Sequence, residues 1–180
     1  YRRHRHPTVV DPTAEWALTL AGGLYLGIGG AYLWRMRALS DGLWWTLTAL
    51  PIVWISESMA YFVGRKWGRH KMSPTISPGK SWEGYAGEVI SGTLTGLLLG
   101  WLWPTVATSA ISLTPLKGLV LGAIISALTT GGDFFVSIIK REVGVKDTGT
   151  LIPGHGGVFD RIDSLLWVGF VTWAIATLWA

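Results

Sequence analysis

The sequence predicts an all-α integral membrane protein with about five transmembrane helices and two polar cytoplasmic loops forming an active site. Three observations carry that prediction. Apolar residues make up 49% of the chain and charged ones only 14%, with a mean hydropathy of +0.39, high for a water-soluble globule. The 24 Gly and 12 Trp suit a bilayer, because Gly is more frequent in transmembrane helices and Trp collects at membrane interfaces. The apolar residues also fall into separate runs, each near the roughly 20 residues that cross a bilayer as helix.

A chain of 180 residues suggests one membrane-embedded domain, 1–180. Because it starts at Tyr1 and not at Met, it is expected to be a fragment or processed product of a longer protein. Its basic start is followed by a Pro-bearing polar stretch, unlike a signal peptide. Without Cys there are no disulfides and no thiolate metal sites.

The first segment runs from about Glu15 to Trp34, where Asp11-Pro12-Thr13 offers an N-cap and a Pro at the first helical position. Its Gly22, Gly23, Gly27, Gly29 and Gly30 are expected to pack closely against other helices and not to cradle a nucleotide, since no strand precedes them. The second spans about Asp41 to Val63, with Pro51 expected to kink it. The third covers about Glu83 to Trp103, the fourth about Leu116 to Ile139, and the fifth about Ile162 to the end. No sustained alternation predicts a strand.

Loop charges set the orientation. Arg65, Lys66, Arg69, Lys71 and Lys80 lie between segments two and three, and Lys140, Arg141, Lys146 and Arg161 between four and five. Only Lys117 lies between three and four, so the positive-inside rule puts the two basic loops in the cytoplasm, together with Arg2, Arg3 and Arg5. Arg35 and Arg37 fall on the other side, against the rule.

Carboxylates sit inside several segments. Glu57 precedes Arg65 by eight residues, Glu88 follows Lys80 by eight, and Asp133 precedes Lys140 by seven. At 1.5 Å per residue each is about 10–12 Å from the basic end of its helix. With Asp160 and Asp163 opening the fifth segment, acids from four helices fall at one depth. A charge inside a bilayer costs at least roughly 2.5–3.5 kcal/mol, so such groups face a polar cavity or a partner. For Glu57 and Glu88 a structural pairing explains the sequence as well as a functional one. Asp133 and Asp160 are the candidate metal ligands, and all-oxygen ligation without Cys points to Mg²⁺, or Mn²⁺, with a second cation allowed.

Between those two acids come Lys140, Arg141, Lys146 and His155, the last within Pro153-Gly154-His155-Gly156-Gly157. Arg and Lys bind phosphate as fork and point charge, and glycines let backbone N–H groups approach an anion. Lipid headgroups would account for the cations, but not for Asp147, Asp160 and Asp163 interleaved with them. In the other basic loop Ser81 and Glu83 can cap the third helix, while Ser77 and Lys80 are the candidate phosphate contacts.

The run Ser137-x-Ile139-Lys140-Arg141, then Lys146-Asp147-x-Gly149, Ile152-Pro153-x-His155-Gly156-Gly157 and Asp160-Arg161-x-Asp163 resembles the motif of the phosphatidate cytidylyltransferases (CDP-diacylglycerol synthases). The stretches 60–64 and 76–84 are similar to that family too, so the resemblance covers about Glu57 to Ser164. One departure is Glu57, where the family usually carries Asp. The resemblance implies that CMP passes from CTP to phosphatidate, giving CDP-diacylglycerol and pyrophosphate. It also implies that this chain is the catalytic C-terminal part of a polytopic protein. On this reading the catalytic residues are Asp133, Asp160, Lys146, Asp147 and Asp163. Substrate binding falls to Ser77, Lys80, Ser137, Lys140, Arg141, His155, Gly156, Gly157 and Arg161. Expected partners are CTP, phosphatidate and membrane lipid, with a homodimer admitted and no nucleic acid; the expected location is a bacterial inner membrane with the site facing the cytoplasm. Competing readings are a CTP-dependent polyprenol or phytol kinase, which would release CDP, and an ion-coupled transporter, which would show paired inverted halves.

Overall fold

The computed structural model describes residues 12–74, 76–142 and 159–179. Among them the chain forms helices α1 (Pro12–Arg37) and α2 (Gly42–Trp67), a hairpin of β1 (Lys71–Ser73) and β2 (Ser77–Ser81), then helices α3 (Trp82–Val106), α4 (Pro115–Glu142) and α5 (Phe159–Leu178). The five predicted segments are the five helices. Four of them, α1 to α4, are long and apolar enough to cross a membrane, and α5 carries a shorter apolar stretch, Ser164–Leu178. The protein is an integral membrane helix bundle.

Successive helices run in opposite directions, so one end gathers the α1–α2 turn, the α3–α4 loop and the C-terminus of α5. The other gathers the C-termini of α2 and α4, the hairpin, and the starts of α3 and α5. Side-chain placement inverts that of a water-soluble bundle. On α3 the apolar residues Ile90, Leu94, Leu98 and Trp101 are exposed to the surroundings, whereas Gly92, Gly96 and Gly100 are buried. Those glycines meet Gly118, Gly122 and Ser126 of α4: a Cβ on Gly92 would stand 2.5 Å from the Ser126 Cβ, and one on Gly100 2.6 Å from the Thr114 carbonyl. Small residues every four positions let the two backbones touch, the packing available where lipid removes any hydrophobic drive between helices.

The apolar core lies toward the end that holds the α1–α2 turn. Met36, Trp45, Ala49, Ile52, Val53, Leu113, Leu121, Ile125, Val168 and Ala176 form it. Asp41 stands at the N-cap position of α2 without a side-chain cap bond, because its Oδ2 accepts from the Ser112 N–H at 2.6 Å and ties the two turns of this end together. Arg35, on the side that the charge rule disfavours, lies over the rings of Tyr32 and Trp173 at 5.8 and 5.5 Å, where a cation is stabilised by the ring faces.

Two expectations are corrected. Of the α1 glycines only Gly29 packs, against Leu166; a Cβ on Gly22, Gly23, Gly27 or Gly30 would meet nothing within 4 Å. The reason is that α1 is partnered mainly by α5, which covers one face of it. The loop after α2 is also not wholly irregular: β1 and β2 pair antiparallel, Lys71 with Ser81 and Ser73 with Ser77, with a register shift between. These strands are too short for alternation to register, and β2 contains Pro78 and Gly79, which a strand tolerates only at an edge or irregularity. Helix α2 continues through Pro51.

Candidate active site

At the basic end the helices leave a cavity of about 620 Å³. Each wall is one helical stripe. Glu57, Tyr61 and the pair Gly64 and Arg65 follow one another along α2 at steps of three or four residues, as do Ser81, the pair Gly84 and Tyr85, and Glu88 where α3 begins. On α4 the wall is Thr129, Thr130, Asp133 and Lys140, and α5 contributes Ser164. Residues three and four apart share a helix face, so three helices bring a carboxylate each into one space. Of the acids expected at one depth, Glu57, Glu88 and Asp133 line this one cavity, and the side chains of Asp160 and Asp163 lie outside the description.

Lys80 reaches this space because of the hairpin. It is the penultimate residue of β2, and Ser81 follows as the N-cap of α3, its Oγ accepting from the Gly84 N–H at 3.2 Å. The Trp82 N–H donates to the His70 carbonyl at 2.9 Å. Glu83 accepts from the His70 N–H at 3.2 Å and lies 2.6 Å from its Nδ1. Glu83 thus ties down the hairpin base, and Ser81 supplies the cap. The α2–α3 crossing is equally close here: a Cβ on Gly84 would stand 2.8 Å from the Ala60 carbonyl.

Held this way, the Lys80 Nζ sits 2.6 Å from Oδ2 of Asp133. It also donates to the Thr130 carbonyl at 3.4 Å and lies 4.7 Å from the centre of the Phe134 ring. Thr130 in turn donates its hydroxyl to Oε2 of Glu88, which is only 4% exposed. Tyr85 donates to the Ala127 carbonyl at 3.2 Å. Lys80, Asp133, Thr130 and Glu88 therefore form one connected chain across α3 and α4.

The other predicted site residues distribute as follows. Lys140 lines the cavity, whereas Ser77, Ser137 and Arg141 are not among its described lining. The Arg141 Nε donates to the Ile76 carbonyl at 3.3 Å, joining α4 to the hairpin. It can do this because it is turned about 100° around the helix from Lys140. Lys146, Asp147, His155, Gly156 and Gly157 lie outside the described residues. Asp160, Arg161 and Asp163 belong to the first turns of α5, and their side chains lie outside the description. By register Asp160 precedes the cavity residue Ser164 by one helical turn.

Sequence reasoning missed Tyr61, Arg65, Lys71, Tyr85, Thr129 and Thr130, all of which line the cavity. Helical spacing was the available signal: Tyr61 and Arg65 stand four and eight residues after Glu57, and Tyr85 three before Glu88. Among the described residues no group of three or more His, Asp or Glu converges to hold a metal ion. Besides its cations, the lining carries carboxylate and hydroxyl side chains, oxygen donors of the kind a hard cation takes. Magnesium is commonly held by one or two carboxylates and completed by substrate phosphates and water, so the donor chemistry at Asp133 fits it.

The cytidylyltransferase family matches residues 7–179. Phosphatidate cytidylyltransferase of Mycobacterium bovis is 38% identical over 138 residues, covering 77% of this chain and 43% of that protein. The protein of the same name from Staphylococcus saprophyticus is 39% identical over 152 residues, 84% of this chain and 55% of its own length. That of Haemophilus influenzae is 43% identical over 126 residues, 69% and 42% respectively. The chain spans about half the length of the curated relatives it matches. With the match running through all five described helices and the hairpin that carries Lys80, this chain belongs to the cytidylyltransferase family.

Proposed function

We propose that this protein transfers CMP from CTP to phosphatidate, forming CDP-diacylglycerol and pyrophosphate, as the names of its relatives describe for them. One observation carries the reading: Asp133, Glu57 and Glu88 share a cavity with Lys80, Lys140 and Arg65 at the basic end of a membrane bundle. Cations there suit a triphosphate, and carboxylates suit the metal that accompanies it. The positive-inside rule supports a cytoplasmic site, and CTP is a cytoplasmic substrate.

In this mechanism a phosphatidate oxygen attacks the α-phosphorus of CTP and pyrophosphate leaves in line. The phosphate monoester is already largely ionised at neutral pH, its second pKa being about 6, so no strong general base is needed. Positioning and electrostatics supply the catalysis. Lys80 and Lys140 hold phosphate oxygens. Asp133, together with Asp160, would hold the cation. When bound, the cation would supply positive charge to offset the negative charge that develops during transfer. The Thr130 hydroxyl joins α4 to Glu88 of α3, and the Thr130 carbonyl receives the Lys80 ammonium. Arg65, exposed where α2 leaves the apolar zone yet lining the cavity, is the cation we assign to the lipid phosphate.

Incubation with CTP labelled at the α-phosphorus, Mg²⁺ and phosphatidic acid, followed by lipid extraction, tests the proposal. Label in the lipid phase supports it. Lipid labelled only by γ-labelled CTP, with CDP released, would replace it with a lipid kinase.

A further inference from the structure

Resting on the cation-dependent transfer above, we propose that Lys80 is a tethered competitor for the divalent cation at Asp133, so that metal and nucleotide bind cooperatively. The carboxylate assigned to the metal is the one the Lys80 ammonium holds, at 2.6 Å. Three close partners of that ammonium among the described residues belong to one turn of α4: the Thr130 carbonyl, the Asp133 carboxylate and the Phe134 ring. Lys80 itself arrives on a different element, the end of β2. An ammonium and a divalent cation cannot share one carboxylate without like-charge repulsion, so the metal must move Lys80.

The move is physically open. Both side chains reach the cavity, Lys80 being 22% and Asp133 38% exposed. A lysine is a compact charge on a flexible stem with rotatable donors, able to leave one anion for another; an arginine fork would be fixed more rigidly. The triphosphate of CTP is the anion that draws it away. Nucleotide binding therefore frees Asp133 for the cation, and cation binding frees Lys80 for the nucleotide. Linkage requires the two effects to be equal in size.

Titration of detergent-purified protein with Mn²⁺, without nucleotide, reads the competition directly. Lys80→Met keeps the apolar stem and deletes the charge; it is expected to bind Mn²⁺ about tenfold more tightly than wild type, within the usual range of such couplings. Lys80→Arg, which keeps the charge, is expected to stay at the wild-type affinity or below. Lys80→Gln serves if the Met variant does not run as a single species in gel filtration. Asp133→Asn is expected to abolish the binding in either background, which places it at this carboxylate. Equal or weaker Mn²⁺ affinity in Lys80→Met would overturn the competition, while leaving CMP transfer by the wild type intact. Absence of Mn²⁺ binding in wild type and variant alike, even with CTP present, would remove the metal reading and this inference with it.

Discussion

Toward the α1–α2 turn, Trp45 packs near Trp179, Trp44 near Trp103 and Tyr32 near Trp173, and aliphatic side chains fill the space between helices. Toward the hairpin, the same helices separate around carboxylates, hydroxyls and cations. The change can be followed along α4 alone. Gly118, Gly122 and Ser126 press against α3; from Thr129 and Thr130 onward the residues on the cavity side are polar, ending at Asp133 and Lys140. Along α4, close contact with α3 gives way where side chains that need partners begin, while α2 and α3 stay in contact through Gly64 and Gly84. One end sets the distances between helices, and the other uses those distances to hold charges that lipid would not tolerate.

If this division holds, substitutions at the two ends should separate activity from stability. The largest effect is expected from Asp133→Asn, which should lower CMP transfer on the order of 10³-fold while thermal unfolding in detergent changes little. Gly96→Leu should do the opposite. Its new side chain would press on the Gly118 backbone, costing roughly 3 kcal/mol, seen as a lower unfolding temperature and poor yield from membranes. Lys80→Ala should raise KM for CTP about tenfold, the loss expected for one charge-assisted phosphate contact, and an unchanged KM would remove Lys80 from the nucleotide site.

Thr130→Val crosses the boundary between the two regions. It leaves the buried Glu88 carboxylate without the hydroxyl that donates to it, so both stability and kcat should fall, stability by roughly 1–3 kcal/mol. Asp41→Ala should have the smallest effect. Breaking its bond to the Ser112 N–H, far from the cavity, should cost about 1 kcal/mol and leave kcat unchanged. A loss of activity there would show that the two ends are coupled more tightly than their packing indicates.

Much of this was legible beforehand, for identifiable reasons. Long apolar runs give membrane helices away, and α1 to α5 begin and end within a few residues of the expected limits. Depth was legible as well, since counting residues from the basic helix ends brought Glu57, Glu88 and Asp133 together. Partner choice was not. The glycines of α1 and α3 look alike in sequence, yet only those of α3 meet a neighbour with its own small residues at the same spacing. The hairpin escaped because pairing across so few residues is set by the helices at its ends and not by alternation. Tyr61, Arg65 and Thr130 escaped because each is unremarkable alone and gains meaning only from the face it shares with an acid.

The central claim is that the carboxylate held by Lys80 is where a cation and a nucleotide triphosphate meet. Crystals grown with Mn²⁺ and a non-hydrolysable CTP analogue test it most directly, through the anomalous signal of the metal. The account predicts a peak within coordinating distance of the Asp133 carboxylate, with the triphosphate beside it and the Lys80 ammonium on a phosphate oxygen. A metal peak outside this cavity, or a nucleotide bound with Lys80 still on Asp133, would contradict it.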